Sequence, residues 1–275
     1  MEFLSSLSTG DLALLVAILT TVGLLAGLTG GRHGIGGGIV MVPVLYEILH
    51  QAAVSQDVSM HVAVGTSLAT IVFNSLRSAA AHNKRGALDW GILRRYGPAV
   101  FLGATLGAVL AAFIGGAGLK ALFGVVATLF AIYIAFAPLR WVLAPEIPNH
   151  WLAHAFSAFL GCLSALMGIG GGTLGVTAMT LCGVAIHRAV ATGAGLGILI
   201  GAPAALGFIL LGLSDPNLPP LSIGYVSWGA LLILAPTSIL AAPWGAQIAH
   251  ALPVRALRIV FGIFLAASGL RMLLG

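Results

Sequence analysis

Charge is what this chain has least of. Only 7% of its 275 residues are Asp, Glu, Lys or Arg, against about 25% in a typical soluble protein. That poverty argues against a soluble domain. Acidic residues are scarcest, seven in all. Glu2, Asp11, Asp57, Glu146 and Asp215 read as exposed, and Glu47 and Asp89 lie near the ends of apolar segments. Paired-carboxylate catalysis has little to work with. The G-x-S-x-G and H-E-x-x-H patterns are missing too, so an enzyme is not expected, nor a metal or other cofactor. Cysteine is nearly absent. Cys162 and Cys182 both lie in apolar blocks and read as small buried hydrophobes rather than a disulfide framework or metal ligands. The first ten residues are acidic rather than basic and show no cleavage pattern, so no signal peptide is expected there.

What remains is apolar. Hydrophobic residues make up 59% of the chain, gathered in blocks of about 15–25 residues, the length of a membrane-crossing helix. The alternating strands of a closed barrel do not appear. The expected fold is an all-α polytopic membrane bundle. Its segments fall at 11–30, 34–49, 61–82, 91–114 and 119–142, then 150–167, 169–185, 188–212, 223–248 and 255–274. These form two halves, 1–148 and 149–275, within one transmembrane domain.

The halves repeat each other. His33-Gly34-Ile35-Gly36-Gly37-Gly38 returns as Met167-Gly168-Ile169-Gly170-Gly171-Gly172, and His61 to Thr66 parallels His187 to Thr192. Trp90 and Pro98 parallel Trp228 and Pro236, and Leu119, Lys120, Phe123 and Gly124 parallel Leu257, Arg258, Phe261 and Gly262. Ordered matches at near-constant offset imply duplication. The loop after the third segment carries Lys84, Arg85, Arg94 and Arg95, whereas the equivalent loop, Gly212 to Ser222, carries only Asp215. Equivalent loops on opposite membrane sides require an odd number of crossings per half, hence an inverted repeat of five-segment units. With both termini outside, Arg32, Lys84, Arg85, Arg94, Arg95, Arg140, Arg188, Arg255 and Arg258 fall in the cytoplasm, and Lys120 and Arg271 fall outside. That bias follows the positive-inside rule and accounts for the net charge of +5 without nucleic acid. Segments 34–49 and 169–185 are short. If each pairs with its predecessor as a re-entrant unit, inversion survives; if only one segment per half is re-entrant, the repeats become parallel. The spacings Gly23/Gly27, Gly103/Gly107 and Gly193/Gly197/Gly201 allow close helix approach, within the chain or in a homodimer.

The glycine phrases are the candidate site. Glycine runs break helices, and broken backbone at membrane depth is tolerated only inside protein or beside a water-filled cavity. Neither phrase is G-x-G-x-x-G, because Ile39 and Thr173 stand at the last glycine position, so a dinucleotide reading is weak. Each phrase precedes an apolar segment whose amino terminus offers free N–H groups and partial positive charge to a small anion. Discontinuous helices at matching places in two repeats point to a transporter site. Gly36, Gly37, Gly38, Gly170, Gly171, Gly172 and Thr173 are therefore candidate anion contacts, the alternative being glycine used for packing. Arg77 lies at membrane depth, to pair with an anion or to snorkel toward Lys84 and Arg85. Asn74, Thr66, Ser67 and Thr192 are candidate donors or helix–helix glue. His82 and Asp89 are candidates for proton linkage. His33 has no counterpart in the second phrase. His61 and His187 read as capping or interfacial.

In these residues the chain resembles the TauE/SafE family of sulfite-exporter-like permeases. The likeness rests on Gly34-Ile35-Gly36-Gly37-Gly38 followed by Val42-Pro43-Val44-Leu45, on Val64-Gly65-Thr66-Ser67, and on His82 through Trp90. Gly168 to Gly172 and Ala191-Thr192-Gly193 add to it, and Thr177 departs from it by standing where the first half has Pro43. The resemblance implies a bacterial cytoplasmic-membrane carrier of a small sulfur-containing anion, sulfite or an organosulfonate such as sulfoacetate. Export by alternating access is the expectation, with a channel of the same fold or an uptake permease for another anion as alternatives. The expected partners are that anion and the lipid bilayer.

Overall fold

The computed structural model describes residues 9–33, 37–136, 142–251 and 254–275. Within them run ten helices and a small hairpin. The first five helices are α1 (Thr9–His33), α2 (Gly38–Gln51), α3 (Gln56–Lys84), α4 (Trp90–Ala111) and α5 (Gly116–Phe136). Then follow α6 (Trp151–Leu166), α7 (Leu174–Leu181) and α8 (Ile186–Gly212). The hairpin pairs β1 (Ser222–Ile223) with β2 (Val226–Ser227), and α9 (Trp228–Ala251) and α10 (Val254–Leu274) close the chain. The helices follow the apolar blocks. Polar caps set the starts of two of them: for α3 Ser55 accepts from the Val58 amide, and for α4 Asp89 accepts from the Ile92 amide.

The chain is a multi-pass membrane protein. Leu102, Leu106, Phe113, Phe136, Leu210, Leu232 and Ile263 all point outward and are exposed, an apolar exterior suited to lipid rather than water. Four described helices are long and apolar enough to cross a bilayer by themselves, spanning Gly10–Leu28, Gln56–Lys84, Gly116–Phe136 and Ile186–Gly212.

At the centre α3 and α8 run antiparallel, with Gly65 against Phe208, Gly201 against Leu68 and Gly197 against Ser75. α3 is buried almost without interruption from Val58 to Ile71. Three further close pairings also cross between the halves. α1 packs in parallel on α9, where Gly23 meets Leu234 and Thr237 and Gly27 meets Ser238 and Ala241. α6 packs in parallel on α4, where Gly103 meets Ala158, Gly107 meets Cys162, and Gly161 meets Val100. α5 and α10 pair antiparallel through Gly124 and Gly269. In several of these contacts the neighbour is a backbone carbonyl so close that any Cβ would overlap it. The small-residue spacings are thus consumed by packing within one chain.

The contacts also fix direction. The starts of α3 and α9 share one end of the bundle with the end of α4. The starts of α4, α6 and α8 share the other end, which carries Lys84, Arg85, Arg94, Arg95 and Arg188 and is called the basic end below. α1 therefore starts opposite the basic end, and α6 starts at it. The short segments are half-helices. α2 begins deep in the bundle, where Gly37 lies on Ala26 of α1, and ends away from the basic end, where Glu47 pairs with Arg271 at 2.6 Å. α7 begins beside Leu196 and ends at the basic end, where Leu181 O accepts from the Leu143 amide at 2.8 Å. The apolar run 169–185 is helical only over Leu174–Leu181. Turn backbone occupies Met167 to Thr173, and Gly183 at φ +75° ends the helix.

A Gly103→Leu variant is expected to lower the thermal unfolding midpoint of the detergent-purified protein sharply, since the added side chain meets Ala158 backbone rather than a yielding side chain. Leu106→Ala, on the lipid-facing side of the same helix, is expected to leave the midpoint nearly unchanged. Fluorescence-detected thermal unfolding checks both.

Candidate functional site

The two glycine phrases meet. Gly38, the first residue of α2, lies so close to the Gly168 carbonyl that a Cβ would overlap it, and Ser67 Oγ of α3 lies beside the same spot. Ser67 donates to that carbonyl at 2.8 Å. Gly168 itself sits at φ +67°, against Val42 and the Val64 backbone, where any side chain would be strained as well as crowded. One backbone carbonyl thus ties the break of the first half, the break of the second half and the central helix together.

Around this tie the second break is short of hydrogen-bond partners. The amides of Gly170, Gly171, Gly172, Leu174, Gly175 and Val176 have no acceptor among the described residues. Leu174 to Val176 are the first turn of α7, whose amides are orphaned in any helix that lacks a capping side chain; Thr173 stands at the N-cap and makes no cap bond. Thr173 is 2% exposed and its hydroxyl has no partner. Ser164, in the last turn of α6, is 1% exposed and equally unpartnered. Buried polar groups left bare are costly. Bare donors gathered at a helix amino terminus make a site for an acceptor-rich, negatively charged guest.

The other sequence candidates divide. Gly36 lies outside the described residues. Gly37 caps α2, Gly170 packs on Ile71, Gly171 on Leu196, and Gly172 beside Gly193. Asn74 Oδ1 accepts from Ser238 Oγ of α9 at 2.9 Å. Arg77 is exposed on α3, in line with Phe73 and Leu76, and does not join the centre. His82 is half-buried near the end of α3. Asp89 forms an ion pair with Arg188 at 2.9 Å at the basic end. Thr66 and Thr192 have a different task. Thr66 Oγ1 accepts the amide of Ser227, the residue before α9, at 2.9 Å. Thr192 Oγ1 accepts the amide of Asp89, the residue before α4, at 3.1 Å. Both threonines are fully buried, and each pins the start of a helix from the opposite half.

Sequence reasoning missed Ser164 and these two pins. The pins carried a signal: Asp89-Trp90 and Ser227-Trp228 are both a capping residue followed by Trp, at the offset that relates the halves. Ser164 carried none, since its counterpart place in the first half holds Gly30. A cleft of about 650 Å³ opens at the basic end, lined by Asp89, Arg95, Tyr96, Glu146 and Arg188 among others. Among the described residues no three His, Cys, Asp or Glu side chains converge as a metal site would require.

The family model described as sulfite exporter TauE/SafE matches residues 19–272. A probable membrane transporter protein of Haemophilus influenzae is 32% identical, over 94% of this chain and 98% of that protein. Probable membrane transporter proteins of Methanocaldococcus jannaschii and Bacillus subtilis are 29% and 28% identical, over 96% and 93% of this chain and 97% and 96% of their own lengths. No solved structure matches the chain.

Replacing either pin, as Thr66→Val or Thr192→Val, leaves one cap-residue amide without its acceptor. Each variant is expected to lose roughly 1–3 kcal/mol of stability, read as a lower unfolding midpoint, while retaining anion binding. A variant with an unchanged midpoint and weakened binding would return the threonine to the list of ligand contacts.

Proposed function

The chain belongs to the sulfite exporter TauE/SafE family, and on that premise we propose that it carries a small sulfur-containing oxyanion across the bacterial cytoplasmic membrane by alternating access. That it is a multi-pass membrane transporter of this type rests on the family and its relatives. The choice of anion and the direction, export, are part of the proposal.

The observation that carries the reading is the bare cluster at the meeting of the two breaks. Six amides of the second break and of the first turn of α7, with the hydroxyls of Thr173 and Ser164, have no partner among the described residues, and they lie in the segment that meets the start of α2 at Gly38. Each helix start contributes about half a positive charge. A sulfur oxyanion presents several acceptor oxygens to such donors, and no exposed cation is needed to hold it. Charge-assisted hydrogen bonds of this kind are roughly twice as strong as neutral ones.

The architecture supports alternating access. The two halves run in opposite senses, α1 starting away from the basic end and α6 starting at it. Each half sends a half-helix from the centre to its own end. The crossed pairings, α1 on α9 and α6 on α4, and the crossed pins, Thr66 to Ser227 and Thr192 to Asp89, exchange when the halves are exchanged. We read this as an inverted five-helix repeat, with the basic end in the cytoplasm. The pseudo-symmetry is imperfect at the site. Thr177, in place of Pro43, donates to Thr173 O at 2.8 Å, so the two half-sites are unequal.

The test uses purified protein in liposomes loaded with radiolabelled sulfite, sulfoacetate, sulfate or taurine. Saturable flux of sulfite or sulfoacetate is expected. Thr173→Val, nearly isosteric, is expected to weaken half-saturation about tenfold or more, as loss of one hydrogen bond to a charged group does. Flux that never saturates points to a channel, and wild-type liposomes that move none of the four compounds contradict the reading.

A further inference from the structure

His61 is buried, 7% exposed, in the second turn of α3. Both of its ring nitrogens face carbonyl oxygens. Nδ1 lies 2.7 Å from Asp57 O, one turn earlier in the same helix, and Nε2 lies 3.0 Å from Ala111 O, at the end of α4. A neutral imidazole has one N–H and one lone pair, so it can donate to only one of the two carbonyls. The other contact would then set a lone pair against an oxygen. Only the imidazolium satisfies both.

The surroundings suit that cation. Ala111 O belongs to the last turn of α4, where helix carbonyls carry partial negative charge. The Tyr225 ring, from the hairpin, lies with its centroid 4.9 Å from that of His61, and the Phe208 ring of α8 lies at 6.1 Å. The Tyr225 centroid is within the roughly 6 Å at which an aromatic ring attracts a cation. The other ionisable groups nearby are engaged. The Asp57 carboxylate accepts from the Gly116 amide of α5. The Tyr225 hydroxyl donates to Asp215 at 2.9 Å, and burial together with that bond pushes its phenol up to about 12, so it stays neutral. Lys120 of α5 sits over the Tyr46 ring, not over His61. From α4 the Ala111 carbonyl faces the ring.

We propose that His61 is the proton-binding site of this transporter, and that its proton ties α3 to the end of α4. This rests on the transport reading above and adds the coupling ion to it. A proton leaving either nitrogen turns one donor contact into a repulsive one, and the tie across to Ala111 is the contact that can open. α3 also carries Thr66, which pins α9, and Ser67, which holds Gly168 at the meeting of the breaks. Loosening its start is felt where the anion is held. The device is one-sided: His187, the matching residue of the second half, is exposed.

Two readouts test this. Solid-state NMR of ¹⁵N-histidine-labelled protein in liposomes, with His61→Gln to assign the signal, is expected to show both His61 nitrogens protonated in mildly acidic buffer. A single-proton tautomer throughout the pH range in which the protein stays folded overturns the proposal. In the second readout, liposomes accumulate radiolabelled sulfoacetate, whose charge is constant near neutral pH, under an imposed pH gradient. His61→Gln is expected to drop accumulation to the level without a gradient while one-for-one exchange at equal pH continues. A variant that keeps the wild-type response to the gradient also overturns it. Wild-type protein that neither accumulates nor exchanges sulfoacetate counts against the transport reading, and the NMR result still decides whether His61 holds the proton.

Discussion

Backbone polar groups cannot be left bare in a hydrocarbon solvent, and this protein breaks two helices in the middle of its bundle. Everything else in the fold answers that constraint. The described ends of the breaks lie against the most buried helix, α3, and against each other, Gly38 on Gly168 and Gly170 on Ile71. Ser67 supplies a hydrogen bond to Gly168 O from outside the break. What is not satisfied among the described residues, the amides of Gly170 to Gly172, the first turn of α7 and the hydroxyls of Thr173 and Ser164, belongs to one stretch of chain, from the end of α6 to the start of α7. A group of donors with no acceptor is a cost in an empty protein and an affinity in a loaded one.

Close packing makes the arrangement possible. Gly38 against Gly168, Gly103 against Ala158 and Gly27 against Ser238 are contacts between backbones. Without a hydrophobic force to bring helices together in lipid, van der Waals contact of this kind and buried hydrogen bonds are what hold the bundle. The crossed pins do the same at the helix starts. Thr66 and Thr192 bind each half to the other at opposite ends, while the inner ends of the half-helices are packed in the centre, Gly38 on Gly168 and Gly175 beside Leu196. In the proposed cycle the natural hinge is the second break, Met167 to Thr173, which is not helical.

Much of this was written in the sequence. The repeated glycine phrase located the breaks and the long apolar blocks located the helices, and loop charge is one support for the opposite senses proposed for the halves. The limits of α7 were not legible, because Thr173 to Ala185 is apolar throughout and only the turn geometry at Gly170 to Gly172 and Gly183 shortens the helix. Roles within polar pairs were not legible either. Thr66 and Thr192 share chemistry with Thr173, and only contact shows that two of them are pins and one is bare. Arg77 drew notice for its depth in an apolar run, yet a helix face is a three-dimensional property, and its face is the exposed one. His61 read as a capping residue because nothing in one dimension places Ala111 against it.

The central claim is that the guest sits at the meeting of the two breaks. Crystals grown with selenite, the heavier congener of sulfite, locate it directly by anomalous scattering. The account predicts a single strong peak within hydrogen-bonding reach of the Gly170 to Gly172 amides and the Thr173 hydroxyl. A peak instead in the cleft at the basic end, between Arg95 and Arg188, with nothing at the breaks, would contradict it.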